Sequence, residues 1–213
     1  MKKILVVGSS SDVAKSLMQD SNFEYVQLSR SNGFNILDDT TFPELDSLDG
    51  LVYFPGTINL KPFEMLKLSD FNKDHEINVL GLVNVLKFYK KKLNKNSSLV
   101  FFSTVATKLG MKFHASVSTY KSAIQGLCIS LASEFAPNTR VNCIASSILE
   151  TKMASRILRN DKIIESISEK HPLKRIGKPS DVSNLVRFLL SDDSSWITGQ
   201  IISVDGGMNN VQL

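Results

Sequence analysis

Residues 4–14, ILVVGSSSDVA, carry a short apolar run into a helical pattern through a single glycine. A continuous apolar run closed by a glycine turn reads as a buried strand. The pattern from about Ser11 to Asp20 reads as a helix with an acid, Asp12, in its first turn, where the positive helix end favours one. Gly8 permits the tight turn, and Ser9, Ser10 and Ser11 allow close approach and carry hydroxyl donors. Ala14 lets the helix pack near the strand. Backbone N–H groups at such a turn face a phosphate well. The alternative is an ordinary strand-to-helix turn, since Asp12 stands where a phosphate-binding loop usually has glycine.

The same alternation continues down the chain. Apolar runs at 3–7 (KILVV), 24–28 (EYVQL), 50–54 (GLVYF), 98–103 (SLVFFS), 140–145 (RVNCIA) and 200–204 (QIISV) read as strands. Between them, helical patterns cover 69–93, Ser116 to Phe135, Lys152 to Ser168 and 179–191. Strands alternating with helices imply a parallel sheet covered on both faces. There is no repeat and no low-complexity linker, so residues 1–213 are expected to form a single α/β domain with a doubly wound parallel sheet. The stretch SRSNGFNILDD, residues 29–39, is too short for a full crossover helix before Asn35 and is expected to be a loop.

Composition narrows the function classes. At 42% hydrophobic and 22% charged the chain suits a globular protein rather than a disordered one. The net charge of +4 comes from scattered lysines, and the densest cluster, Lys90-Lys91-Lys92 with Lys95, reads as a solvated helix end rather than a nucleic-acid surface. A basic surface still suits anionic small ligands. Cys128 and Cys143 lie in apolar runs, which predicts buried thiols with no disulfide framework and no metal site. The start MKKILVVG has a signal-like charge, but its apolar run is too short and ends in a glycine turn. No stretch is long enough to span a membrane, and the expected location is cytoplasmic.

The second strand ends in Ser29-Arg30-Ser31. In dinucleotide folds an acid at this strand end binds the ribose 2′-hydroxyl, whereas an arginine accommodates a 2′-phosphate. No acid is present, so a nicotinamide cofactor is expected to be NADP(H) in preference to NAD(H). The bland alternative is a surface arginine in a turn.

Taken in order, these pieces resemble the short-chain dehydrogenase/reductase family over nearly the whole chain. The tail 171–208, HPLKRIGKPSDVSNLVRFLLSDDSSWITGQIISVDGGM, is the most specific part. LDGLVYFPG (48–56), HEINVLGLVNVLK (75–87) and RVNCIASSILETKM (140–153) resemble further family segments. The resemblance implies a Rossmann-like sheet of about seven strands, homodimers or homotetramers, and a small carbonyl or alcohol substrate, with no nucleic-acid or membrane partner. It implies cofactor contacts at Gly8, Ser10, Ser11 and Val13, and at Ser29, Arg30 and Ser31. Asn35 and Ile36 fall where the adenine is held. Phe54, Pro55 and Gly56 would line the cleft, with Ile148 and Thr151 on the nicotinamide side. Two departures stand out. Ser146-Ser147 replaces the usual Pro-Gly, and Tyr53, Phe54 and Pro55 replace Asn, Asn and Ala.

The family's chemistry uses Asn, Ser, Tyr and Lys, with Tyr and Lys four apart on one helix face. By resemblance the asparagine is Asn78, the lysine is Lys121 and the serine slot is Thr104, which keeps a hydroxyl. Lys121 would bind the nicotinamide ribose. The tyrosine slot is Val117, which cannot transfer a proton. Tyr120 is one candidate substitute, and helix packing is the other reading of that side chain. Ser116, Ser118 and His114 are further polar groups nearby. Ser103 should face away from Thr104 in a regular strand. Three readings stay open: a reductase with a relocated proton donor, a cofactor-binding regulator or scaffold without turnover, and a purely structural partner in a mixed oligomer.

Overall fold

The computed structural model describes residues 1–211. The expected strands form and pair in parallel: β1 (Lys2–Val7), β2 (Phe23–Leu28), β3 (Leu48–Tyr53), β4 (Leu93–Thr104), β5 (Thr139–Ser146) and β6 (Ile201–Val204). Their order is β2-β1-β3-β4-β5-β6. The chain runs outward from β1 to β2, then returns to the other side of β1 as β3. That reversal opens a crevice beyond the carboxyl ends of β1 and β3, where open α/β sheets bind ligands.

The sheet has six strands rather than about seven. The missing piece is the excursion after β2. Between Leu28 and Leu48 the chain makes only two short 3₁₀ turns, Arg30–Asn32 and Asp39–Thr41. Gly33, at φ +84°, ends the first, and the Asp38 side chain caps the second. With no crossover helix to carry the chain outward, β2 becomes the sheet edge.

Alternate residues of a strand face opposite sides of the sheet, and both sides here are covered. Leu5, Val7, Leu51, Leu99 and Phe101 pack with Leu82, Val85, Ile124 and Cys128 on one side. Ile4, Val6, Val52, Val100 and Ile144 pack with Val13, Leu17, Val182 and Val186 on the other. The first side is covered by α3 (Gly81–Tyr89) and α4 (Ala115–Phe135), the second by α1 (Asp12–Leu17) and α6 (Pro179–Leu190). This two-sided burial explains the apolar runs 4–7, 51–53 and 99–101 of the central strands. Both cysteines are free and buried. The helical stretch expected over 152–168 divides into a 3₁₀ turn, Lys152–Ala154, and α5 (Asp161–Ser168).

The long helix expected over 69–93 is interrupted. It runs as α2 (Leu68–His75), a π-helical turn at Glu76–Leu80, and then α3. Beneath the π turn lies Tyr53, whose hydroxyl donates to the Ile77 carbonyl at 2.6 Å. Gly81 makes room for it, since a Cβ there would sit 2.6 Å from the Tyr53 hydroxyl oxygen. Burial pushes the Tyr53 pKa well above the usual phenol range, so the hydroxyl stays a donor. Tyr53→Phe is expected to cost about 1–2 kcal/mol by leaving that carbonyl without its donor. Urea unfolding at constant m-value checks it, and an unchanged midpoint would show that the contact is dispensable. The π turn matters because it carries Asn78.

Candidate active site

One cleft of about 1230 Å³ opens at the carboxyl ends of the strands. Its first wall is the turn after β1. Gly8 adopts φ +81°, and a Cβ there would lie 3.0 Å from Pro55 Cδ, so this position requires glycine on two counts. The Gly8 and Ser9 amides donate to the Leu28 carbonyl at 2.8 and 3.1 Å. The Ser10 and Val13 amides have no protein partner among the described residues, and both residues line the cleft. Ser11 lines it too, while its hydroxyl caps α1 by accepting from the Ala14 amide at 3.1 Å. Asp12 is indeed in the first helical turn, and its carboxylate accepts from the Lys152 amide at 2.7 Å. The acid therefore ties the first loop to the 3₁₀ turn that follows β5.

At the β2 end, Ser29 and Arg30 line the cleft and Ser31 does not. Ser31 instead holds Ser29, with the two hydroxyl oxygens 2.7 Å apart. Arg30 is exposed, and no carboxylate pairs with it among the described residues. Asn35 and Ile36 form the next part of the wall. Asn84 fixes this loop by donating to the Ile36 carbonyl at 3.0 Å.

Phe54, Pro55 and Gly56 follow β3 into the cleft. Phe54 stacks on Phe102 with ring centroids 4.7 Å apart, giving a rigid apolar surface. A Cβ on Gly56 would meet Lys121 Nζ at 3.1 Å and Asn78 Oδ1 at 3.4 Å. Lys121 lines the cleft, and its Nζ donates to the Phe102 carbonyl at 3.1 Å. Burial lowers the Lys121 pKa to about 8, against a smaller opposing pull from the Asp74 carboxylate. Asn78 is fully buried behind Gly56 rather than in the cleft wall. Its Nδ2 donates to Thr57 Oγ1 and to the Asp74 carbonyl, both at 2.8 Å, while its Oδ1 has no partner. Asp74 is buried as well, and it accepts from Ser116 Oγ at 2.6 Å and Asn59 Nδ2 at 2.7 Å.

Val117 lies one helical turn before Lys121 and lines the cleft, so the expected tyrosine slot is an apolar wall. Thr104 lines it from the end of β4, its Oγ1 accepting from the Ala106 amide at 3.3 Å. Ser103 is occupied elsewhere, donating to the Lys121 carbonyl at 3.0 Å. Tyr120 is not in the cleft wall. Its ring stacks on His75 at 5.2 Å and meets Phe71 edge-on at 6.4 Å. Of the two readings of Tyr120, candidate donor and helix packing, the ring's position between α2 and α4 is that of packing. Ser116 and Ser118 are likewise hydrogen-bonded away, to Asp74 and to the Ala106 carbonyl. His114 reaches the cleft, with Nδ1 tied to the Lys112 carbonyl at 2.7 Å. Ile148 and Thr151 line the far side, where Thr151 Oγ1 accepts from the Ala154 amide at 3.3 Å.

One pair was not singled out from the sequence. His171 is buried and lines the cleft, with Nε2 2.8 Å from Ser147 Oγ and Nδ1 2.8 Å from the Ile167 carbonyl. The available signal was scarcity, because the chain has 3 histidines and two of them reach this one cleft. No group of His, Cys, Asp and Glu among the described residues has the arrangement of a metal site.

Comparison with known proteins agrees with this architecture. Residues 13–209 match a family model described as enoyl-(acyl carrier protein) reductase. Tropinone reductase-like 3 of Erythroxylum coca is 36% identical over 176 residues, covering 80% of this chain and 67% of that protein. The 3-oxoacyl-[acyl-carrier-protein] reductase FabG of Aquifex aeolicus is 31% identical over 96% of this chain and 86% of its own length. Among solved structures, a small-chain dehydrogenase in complex with NADPH superimposes with TM-score 0.86 at 21% identity, covering 98% of both chains. With the family model spanning most of the chain and the two reductases aligned over most of it, the chain belongs to the short-chain dehydrogenase/reductase family.

Proposed function

We propose that this protein is a cytoplasmic NADP(H)-dependent oxidoreductase that moves hydride between the nicotinamide and a small carbonyl or alcohol substrate, with a proton donor other than a tyrosine at position 117. The observation that carries this is the meeting of Gly8, Gly56 and Lys121 at one cleft, with Asn78 buried directly behind Gly56. A side chain is disfavoured at Gly8 by backbone conformation and contact, and at Gly56 a Cβ would crowd the Lys121 ammonium and the unpartnered Asn78 carboxamide oxygen that converge there. Those features fit a dinucleotide lying across the strand ends. The cofactor, when bound, supplies or accepts the hydride. The NADPH in the structural relative supports the phosphorylated form.

The protein's own residues bind and orient. Ser10 and Val13 offer amides to the pyrophosphate, and Arg30 faces the 2′-phosphate. Lys121 holds the nicotinamide ribose, Phe54 and Phe102 exclude water, and Thr104 donates to the substrate oxygen. Asn78 steadies the Lys121 environment from behind Gly56. Exposed Leu80 and Ile129 support a homodimer or homotetramer, which sedimentation equilibrium reads directly.

Calorimetric titration with NADPH and NADH tests the reading. Micromolar NADPH binding with much weaker NADH binding is expected. Arg30→Ala should weaken NADPH by about 10- to 100-fold, the size of a lost charge-assisted contact, and leave NADH unchanged. Equal loss for both cofactors would remove the 2′-phosphate assignment, and no binding of either would remove the oxidoreductase reading. Val117 favours a second reading, an NADP(H)-binding regulator or scaffold. That reading predicts binding without turnover across a panel of aldehydes, ketones and alcohols.

A further inference from the structure

We propose that Ser147 and His171 form the proton-transfer pair of this cleft, Ser147 touching the substrate oxygen and His171 holding the proton behind it. This deepens the oxidoreductase reading and rests on it for the identity of the substrate oxygen.

Hydrogen-bond polarity fixes the His171 tautomer. A carbonyl only accepts, so the contact to Ile167 places the His171 proton on Nδ1. In the neutral ring Nε2 then carries a lone pair and accepts from Ser147 Oγ. In the imidazolium the same contact reverses, with Nε2 donating and Ser147 Oγ accepting. Neither state requires the ring to move, because the Ile167 carbonyl holds Nδ1–H in both. His171 is 2% exposed, so its ring reaches the cleft chiefly through the serine. Among the described residues it is the one histidine hydrogen-bonded to a hydroxyl.

The position is also suitable. Ser146 is the strand partner of Thr104, so Ser147 lies one residue beyond the end of β5, the strand beside the one that presents Thr104. Thr104 and Ser147 both line the cleft at the carboxyl ends of these neighbouring strands. Ser147 Oγ has a second contact, to Met208 Sδ at 3.5 Å, a weak acceptor that a substrate oxygen would readily displace. The other candidates lack this coupling. Lys121 Nζ is engaged with the Phe102 carbonyl, and His114 is tied to Lys112 with no hydroxyl ahead of it.

In carbonyl reduction the substrate carbon gains a hydride and its π pair moves to oxygen. That oxygen takes the Ser147 Oγ proton, Ser147 takes the Nε2 proton of the imidazolium, and His171 is left neutral. Alcohol oxidation runs the same transfers backward: the alcohol proton passes to Ser147, the serine proton passes to His171, and hydride leaves to an oxidised nicotinamide.

The test uses the full-length protein and needs neither substrate nor cofactor. Diisopropyl fluorophosphate reports a hydroxyl with a base behind it. Ser147 Oγ bonds to phosphorus, fluoride leaves, and the serine proton passes to His171. Mass spectrometry should find the adduct on Ser147, formed at least tenfold more slowly in His171→Gln, which retains a hydrogen-bonding group but cannot take a proton. An unmodified Ser147, or an equal rate in the variant, overturns the pair. Ring ¹⁵N shifts of His171 in the unaltered protein are a second measurement that does not depend on the variant folding. They should show a protonated Nδ1 and a lone-pair Nε2, and the opposite tautomer overturns the proposal. NADPH titration of the same sample decides the cofactor reading separately.

Discussion

Lys121→Met should make the fold more stable at pH 7 by about 2 kcal/mol while weakening NADPH binding at least tenfold. Burial lowers the lysine from its ordinary value of 10.5 to about 8. Between those values the unfolded chain holds a proton that the folded chain does not, so stability rises with pH across the window. Below about pH 8 the folded protein carries a buried cation, at a cost of about 3 kcal/mol from 1.36 per pKa unit. Methionine fills a similar volume without charge. It loses the 3.1 Å contact to the Phe102 carbonyl, which offsets about 1 kcal/mol. Urea unfolding at pH 7 and pH 10 gives the check. The variant's advantage should shrink toward the higher pH, where the folded lysine is already neutral. An advantage of equal size at both pH values would show that packing, not desolvation, is responsible. A cation held at such a cost beside a ligand cleft is what a stability–function trade-off produces.

How far the sequence could be read followed the range of the contacts involved. The six strands and the helices that cover them were visible because each is a local pattern of apolar residues. Lys121 and the Val117 slot were placed by the resemblance of one helix to the family's, a match contained within a single local segment. The position of Gly8 was likewise local. What escaped depends on residues far apart in the chain. The π turn around Asn78 follows from Tyr53 donating to a carbonyl 24 residues away. Asp12 reads locally as a first-turn acid of a helix, with nothing to show what its carboxylate binds. Its partner, the Lys152 amide, is 140 residues away, and no local pattern links the two. Tyr120 was ambiguous because a helix position alone does not say which neighbour a ring meets, and His75 and Phe71 settle that. The loss of the outer strand was half visible: the stretch after Leu28 was plainly too short for a helix, but the consequence for the sheet edge is a property of the whole topology. Ser147 and His171 were read separately, one as a departure from a loop pattern and the other as part of a tail.

Val117→Tyr should restore proton transfer by about two to three decades in a His171→Gln background, yet raise turnover less than about tenfold in the unaltered protein. Val117 lies one turn before Lys121 on the face of α4 that lines the cleft. A phenol there can extend into open cleft volume rather than into the core, so overpacking is small. The nearby ammonium stabilises the phenolate and lowers the phenol pKa toward the working range. Stopped-flow loss of NADPH absorbance with an unactivated ketone reads the effect, because reduction of such a substrate needs a proton at its oxygen and so registers the loss or return of a donor. The comparison separates three states of the site. A rescue confined to the His171→Gln background means that the serine and histidine already supply the proton. A gain of decades in the unaltered protein means that the cleft was assembled but had no acid, as a cofactor-binding regulator would be. If His171→Gln alone leaves the rate unchanged, the proton reaches the substrate by a route that does not use His171, and the pair has no part in turnover.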